Sequence, residues 1–147
     1  MELSGQVNIQ APREAVWDFL LDAELVSECV PGLESLQVLV PGEKFQAKAQ
    51  IGLGTVKVKF EAEVEWFDLD RPNRAKMRGR GTAPGSAGDA TAEMNLEQGP
   101  DGSTDLLWVA DVNVAGTIAS LASRMMKSVS KKLAKNFFEC VKKNVEG

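Results

Sequence analysis

Residues 117–146 read TIASLASRMMKSVSKKLAKNFFECVKKNVE. Their apolar members, Ile118, Leu121, Ala122, Met125, Val129 and Leu133, recur at helical spacing, and Phe137, Cys140 and Val141 continue the stripe. Neither proline nor glycine interrupts until Gly147. A helix of about 28 residues would be about 42 Å long, enough to lie across an entire sheet. Its other face is basic: Arg124, Lys127, Lys131, Lys132, Lys135, Lys142 and Lys143 outnumber Glu139 and Glu146, and the rest of the chain is acidic. Such a back is either a solvated helix face or a docking element for a partner or a membrane surface.

An apolar stripe of that length needs an apolar face to cover, and the middle of the chain supplies it. In Thr55–Phe67, Val56, Val58, Phe60, Ala62, Val64 and Trp66 alternate with Lys57, Lys59, Glu61, Glu63 and Glu65. The same period of two runs through Phe45–Ile51, Ala75–Gly81, Ala90–Leu96 and Trp108–Val114. Leu3, Gly5, Val7 and Ile9 make a first strand. Two short helices follow it, one opening at Pro12 and one near Ala23–Cys29. Gly52 and Gly54 mark one hairpin, and Pro41-Gly42, Pro72 and Gly99–Gly102 mark other turns. With no linker or repeat, residues 1–147 read as one α+β domain. The expected fold is a helix grip: a curved antiparallel sheet of six to seven strands around a long C-terminal helix.

Composition narrows the chemistry. The 147 residues include no histidine and no tyrosine. Histidine-dependent nucleophile pairs, histidine-ligated metals and histidine pH switches are therefore excluded. Cys29 and Cys140 stand in no metal-binding spacing and have apolar neighbours, so they read as buried thiols, with a single disulfide as the less favoured alternative. The outward carboxylates form no acid–base couple. No catalytic residue, cofactor or metal site is expected, and the chain reads as a non-enzyme. The N-terminus has neither a basic nor an apolar leader segment, and no apolar run reaches bilayer length. A cytoplasmic location follows as the expectation, with any membrane contact peripheral at the inner face.

The inward positions of the strands are small: Ala47, Ala49, Ala62, Ala75, Gly79, Gly81, Ala90, Ala92 and Ala110. Either the helix approaches closely or a cavity remains, and flexible Met125 and Met126 favour a cavity. The expected ligand-binding residues are Phe45, Ala47, Phe60, Ala62, Met77, Ala92, Met94, Trp108 and Ala110 on the sheet. On the helix they are Leu121, Met125, Met126, Val129 and Leu133. The expected rim is Val30, Pro31 and Gly32 together with Gly81, Gly85 and Gly88, in a glycine-rich segment read as a mobile strand connection. A hydrophobic small molecule or a lipid fits such a lining. The stripe Arg74, Lys76, Arg78 and Arg80 is read as a cross-strand lattice with Glu61, Glu63, Glu65, Glu93 and Glu97, so no nucleic-acid partner is expected. A cyclase-like or hydrolase-like enzyme using the same cavity, or a docking module with a filled core, are the competing readings.

Several stretches carry a family resemblance. They are Met1-Glu2-Leu3-Ser4-Gly5, Ala11–Trp17, Cys29-Val30-Pro31-Gly32, Gly85–Ala90, Gly116-Thr117-Ile118-Ala119, Ser123-Arg124 and Lys132–Phe138. Together they resemble the CoxG family of carbon monoxide dehydrogenase subunits over essentially the whole chain. That resemblance implies a START/Bet v 1-like fold and a non-catalytic accessory to a molybdenum hydroxylase such as CO dehydrogenase. It also implies roles in recruiting that enzyme to the membrane or handling quinone as electron acceptor. The hairpin Gly54-Thr55-Val56-Lys57-Val58 departs from the Gly-Pro-Val-Lys-Gly form of many relatives.

Overall fold

The alternation of Val58, Phe60, Ala62 and Val64 becomes one face of a seven-stranded, wholly antiparallel curved sheet. The structure, a computed structural model, describes residues 1–146. In chain order it has β1 (Glu2–Ile9), α1 (Arg13–Leu21), α2 (Ala23–Ser27), β2 (Leu33–Val40), β3 (Lys44–Leu53), β4 (Val56–Asp70) and β5 (Arg74–Ala83). Then come β6 (Ser86–Gln98), a 3-10 turn (Pro100–Gly102), β7 (Thr104–Gly116) and α3 (Ala119–Val145). The sheet order is β1-β7-β6-β5-β4-β3-β2, a meander whose last strand is joined by the first. This is the helix-grip fold expected from the sequence.

Local chemistry fixes the corners. Gly54 and Gly85, at φ 66° and 70°, each make a two-residue hairpin turn that a side chain would strain. Asp22 caps α2, its Oδ1 accepting the Glu24 and Leu25 amides at 3.1 and 3.2 Å. Pro12 lies one position before α1 rather than inside it, and its carbonyl accepts the Val16 amide at 3.1 Å. The glycine-rich segment is not a loose connection. Gly79, Gly81 and Gly88 sit inside paired strands, and only Pro84 and Gly85 turn the chain.

α3 spans the concave side, and its closest backbone approaches are to β1 and β7 on one flank and β3 on the other. One end of the grip is closed. There Ile9, Val16, Trp17, Phe19, Leu20, Leu96, Leu106 and Val141 form the core, with Trp66, Met94, Trp108, Phe137 and Phe138 packed against it. The Phe137 and Phe138 rings meet edge to face at 5.0 Å. Thr104, fully buried, donates its hydroxyl to the Ala11 carbonyl at 2.7 Å, which satisfies a polar group that burial would otherwise penalise.

One expectation is corrected here, and one strand is additional to those read from the sequence. Cys29 and Cys140 are not separate thiols but a disulfide, with Cα atoms 5.4 Å apart. They are 111 residues apart in sequence, and only the packing of the α2–β2 loop on α3 brings them together. β2 is a strand with no clean alternation to announce it, because its pairing with β3 shifts register at Leu33/Ser35 and again at Val38/Val40. It forms an open edge on which Val38, Leu39 and Val40 remain exposed.

The convex face carries an ionic lattice that matches the expected one in part. Arg78 and Arg74 pair with Glu65 and Glu93 as expected, but Lys76 reaches Asp68 at 3.7 Å, and Glu61 and Glu63 pair with lysines of β3 rather than with the β5 stripe. Arg78 donates to Glu65 at 2.6 and 2.9 Å while lying 4.4 Å over the Phe67 ring. Lys44 reaches Glu63 at 3.0 Å, Lys48 reaches Glu61 at 3.6 Å and Arg74 reaches Glu93 at 3.7 Å. The bond from Arg78 holds the Glu65 carboxyl below its usual range, and the bond to Glu63 raises the Lys44 ammonium.

Candidate functional site

Register explains where the grip stays empty. Reading across the sheet, Trp66 faces Met77, Met77 faces Ala92, and Ala92 faces Ala110. The next row towards the hairpin ends is Val64, Gly79, Ala90 and Val112, and the one beyond is Ala62, Gly81, Gly88 and Val114. In the central strands β5 and β6 these two outer rows contain nothing larger than alanine. The row on the closed side, Ala75, Met94 and Trp108, carries the bulk that packs into the core. The fold is therefore filled at one end and hollow at the other.

The hollow is a cavity of about 330 Å³, at the lower end of the range for small-molecule sites. Ala62, Val64, Met77, Gly79, Gly81, Gly88, Ala90, Ala92, Val112 and Val114 form its sheet wall. Ile51, Leu53, Val58 and Phe60 of the β3–β4 hairpin form one side, and Ile118, Ala122 and Met126 of α3 form the roof. Arg80, Thr82, Ala87 and Asp89 also border it, at the alternate positions that direct side chains to the convex face. They border it where Gly79, Gly81 and Gly88 leave strand backbone bare. Ser86 adds one inward hydroxyl at the open end, and the rest of the lining offered to an occupant is hydrocarbon.

At the open end, the β5–β6 hairpin is latched to the β7–α3 junction. The Gly85 carbonyl accepts the Thr117 amide at 3.0 Å and its hydroxyl at 3.2 Å. The Ser86 hydroxyl accepts the Ile118 amide at 3.2 Å, a partner for a helix-end donor that α3's own residues do not cap. Contact here is close: a Cβ on Gly116 would collide with the Gly85 carbonyl oxygen, and Gly116 has φ 97°.

Of the expected lining residues, Phe60, Ala62, Met77, Ala92 and Met126 border the cavity, and so do the expected rim residues Gly81 and Gly88. Phe45, Ala47, Met94, Trp108 and Ala110 do not. Phe45 is buried beside Val64 but outside the closed-end core, whereas Met94 and Trp108 belong to that core's packing. Leu121, Met125, Val129 and Leu133 do not border it either. They share one face at i, i+4 spacing, and on that face the Met125 methyl lies 3.4 Å from a Cβ built on Gly54 in the β3–β4 hairpin. The cavity face of the helix is the neighbouring series Ile118, Ala122 and Met126.

Val30, Pro31 and Gly32 are displaced from the rim. Gly32, at φ 78°, packs on the β3 backbone, its carbonyl accepting the Gln50 amide at 2.9 Å. A Cβ there would collide with the Gln50 carbonyl oxygen. Gly85 lies in the latch, outside the lining. Ile51, Leu53, Val58, Val64, Val112, Val114, Ile118 and Ala122 join the lining without having been expected there. For the strand members the signal is present in the sequence, since each continues a legible alternation.

Among the described residues no cluster of three His, Cys, Asp or Glu side chains could hold a metal, and no buried side-chain nitrogen or oxygen lacks a hydrogen-bond partner. Among them, too, no helix is long and apolar enough to cross a membrane. The basic residues of α3 do line its outer surface: Arg124, Lys127, Lys131, Lys132, Lys135 and Lys143 are exposed.

Known structures share this architecture. A conserved protein from Geobacillus kaustophilus superposes with a TM-score of 0.91 at 28% identity, covering 99% of this chain and 95% of the other. The Zhui aromatase/cyclase from Streptomyces sp. R1128 matches with a TM-score of 0.75 at 18% identity, over 99% of this chain and 93% of its own. A START superfamily protein from Mycobacterium smegmatis matches with a TM-score of 0.73 at 15% identity, over 99% and 97%. No curated protein sequence matches significantly. The model of the CoxG family of carbon monoxide dehydrogenase subunits matches residues 5–146, and the chain belongs to that family.

Proposed function

We propose that this protein is a non-catalytic accessory that holds a hydrophobic ligand under α3. The observation that carries the reading is the cavity of about 330 Å³ between the glycine–alanine rows of β5 and β6 and the start of the helix. Empty apolar volume is unfavourable in a protein that has no use for it. An apolar occupant would recover roughly 25 cal/mol for each Å² of its surface removed from water. The one inward hydroxyl of the lining, Ser86, is engaged by the Ile118 amide and has no base in the lining's inward face to activate it, which favours carriage over catalysis and weighs against a cyclase-like use of the same hollow.

Family membership supports the partner. In this reading the protein serves a molybdenum hydroxylase such as CO dehydrogenase, delivering a quinone-like acceptor or a lipid and helping to bring the enzyme to the inner face of the membrane. Organic extraction of the purified protein followed by mass spectrometry is the test, together with titration of added menaquinone or ubiquinone. A co-purifying lipid or quinone, or saturable binding of the added quinone, is expected. No extracted ligand and no binding would overturn the reading.

A further inference from the structure

β4 outruns β5. Their ladder ends at Glu61 and Thr82, whereas Val56–Phe60 continues in pairing with β3. That overhang is about 16 Å at strand rise. β5 instead turns at Pro84 and Gly85, and its hairpin is tied to the start of α3 by Gly85 and Ser86. The open end of the sheet is therefore split, with a cleft between the β3–β4 arm and the β5–β6 arm.

On the convex side of that cleft lies a second groove of about 340 Å³. It shares Phe60, Thr82 and Ala83 with the wall of the apolar cavity. The rest of its character is different: Lys48, Lys59, Glu34 and Glu61 line it, and Lys48 Nζ stands 3.6 Å from Glu61 Oε1. The two hollows are the inner and outer sides of one thin place in the sheet, hydrocarbon within and charged without.

We propose that the outer groove is the head-group subsite for an amphiphile whose apolar tail occupies the cavity, the molecule passing between β4 and β5 beside Phe60. This rests on the reading of the cavity as a ligand site. A polar head drawn inside would lose its water and find among the inward side chains only the Ser86 hydroxyl, already engaged by the Ile118 amide. A head left in the groove meets two ammonium groups and two carboxylates. That balance suits a zwitterionic or neutral hydrogen-bonding head better than a bare anion, which the carboxylates would repel. Phe60 has a β3 partner, Ala49, and none on β5, so its ring is the side chain placed to part when a chain enters.

The test uses two probes and two variants. N-phenyl-1-naphthylamine is apolar with no charged head; dodecylphosphocholine, kept below its micelle-forming concentration, has a tail and a zwitterionic head. Binding of each is measured by titration to the wild type, to the double variant Lys48→Ala/Lys59→Ala, and to Ala92→Phe, with circular dichroism as the check on folding. The double variant should weaken dodecylphosphocholine about tenfold and leave the apolar probe within twofold. Ala92→Phe should weaken both. If both probes bind and the double variant binds dodecylphosphocholine as the wild type does, the groove is not a head-group subsite, although the cavity reading survives. If neither probe binds the wild type, the cavity reading falls and this proposal falls with it.

Discussion

The indole of Trp108 lies across the backbone of Gly5, its cross-strand partner, so closely that a Cβ at residue 5 would fall 2.6 Å from Nε1 and 2.8 Å from Cε2. Glycine at this position lets the largest side chain of β7 fold flat over β1 and take its place in the closed-end packing. A methyl group has nowhere to go, because the clash is with the ring itself. Gly5→Ala should destabilise the protein by about 1–3 kcal/mol, the usual cost of overpacking. Urea unfolding followed by tryptophan fluorescence reads this directly, and an unchanged midpoint would contradict the packing described.

The Cys29–Cys140 disulfide closes a loop of 111 residues. Chain-entropy reasoning gives such a loop a stabilisation of about 4–5 kcal/mol, through restriction of the unfolded chain. Thiol titration of the unreduced, denatured protein should find no free cysteine, and the melting temperature should fall on reduction. Two titratable thiols with an unchanged melting curve would contradict the bond.

Gly116 and Gly42 both have positive φ, 97° and 71°, but their surroundings differ. A Cβ on Gly42 meets nothing within 4 Å, whereas one on Gly116 would strike the Gly85 carbonyl. Gly42→Ala should cost about 1–2 kcal/mol, from backbone conformation alone. Gly116→Ala should cost more and should break the latch, seen as faster hydrogen exchange at the Thr117 and Ile118 amides. Equal costs, with exchange unchanged, would contradict the latch.

The acid response should involve Glu65. Its carboxyl is held below the usual range, first by the hydrogen bond from Arg78. A depressed folded-state pKa contributes stability above the unfolded value and loses it as pH falls through the folded value. Glu65→Gln should therefore lower the unfolding midpoint near about pH 7, and the gap from wild type should narrow towards about pH 3. Because the pair is exposed and screened, the effect should be small and salt-sensitive. A gap that stays constant across this range would contradict the assignment.

How much of this is legible in the sequence follows from the range of each interaction. The stripe from Ile118 to Val141 and the alternation of Val58 to Val64 are local, and they carry the helix, the strands and the grip. The smallness of Gly79, Gly81, Gly88, Ala90 and Ala92 is also local, and it points to an unfilled interior. Which end stays unfilled depends on register, through the row that sets Met94 beside Trp108 and both against the core that Phe137 and Phe138 join. That row is invisible to a single-strand pattern, so Met94 and Trp108 read as part of a lining that they in fact close off. The helix face reads one position out for a similar reason: Met125 and Met126 are equally apolar, and the β3–β4 hairpin takes one while the cavity takes the other. Cys29 and Cys140 carry no mutual signal across 111 residues, and the register shifts in β2 erase the alternation that would have announced it.

The central claim, a ligand-holding hollow at the glycine–alanine end of the sheet, is tested most directly by titrating N-phenyl-1-naphthylamine into wild type and Ala92→Phe. Ala92 lies between Met77 and Ala110 in the innermost row that borders the cavity, so a phenyl ring there should occupy the volume while leaving the backbone pairing intact. The expected result is saturable binding by the wild type and at least about tenfold weaker binding by the folded variant, equivalent to about 1.4 kcal/mol of lost burial. Equal affinity of the two proteins, or no binding by the wild type, would contradict the claim.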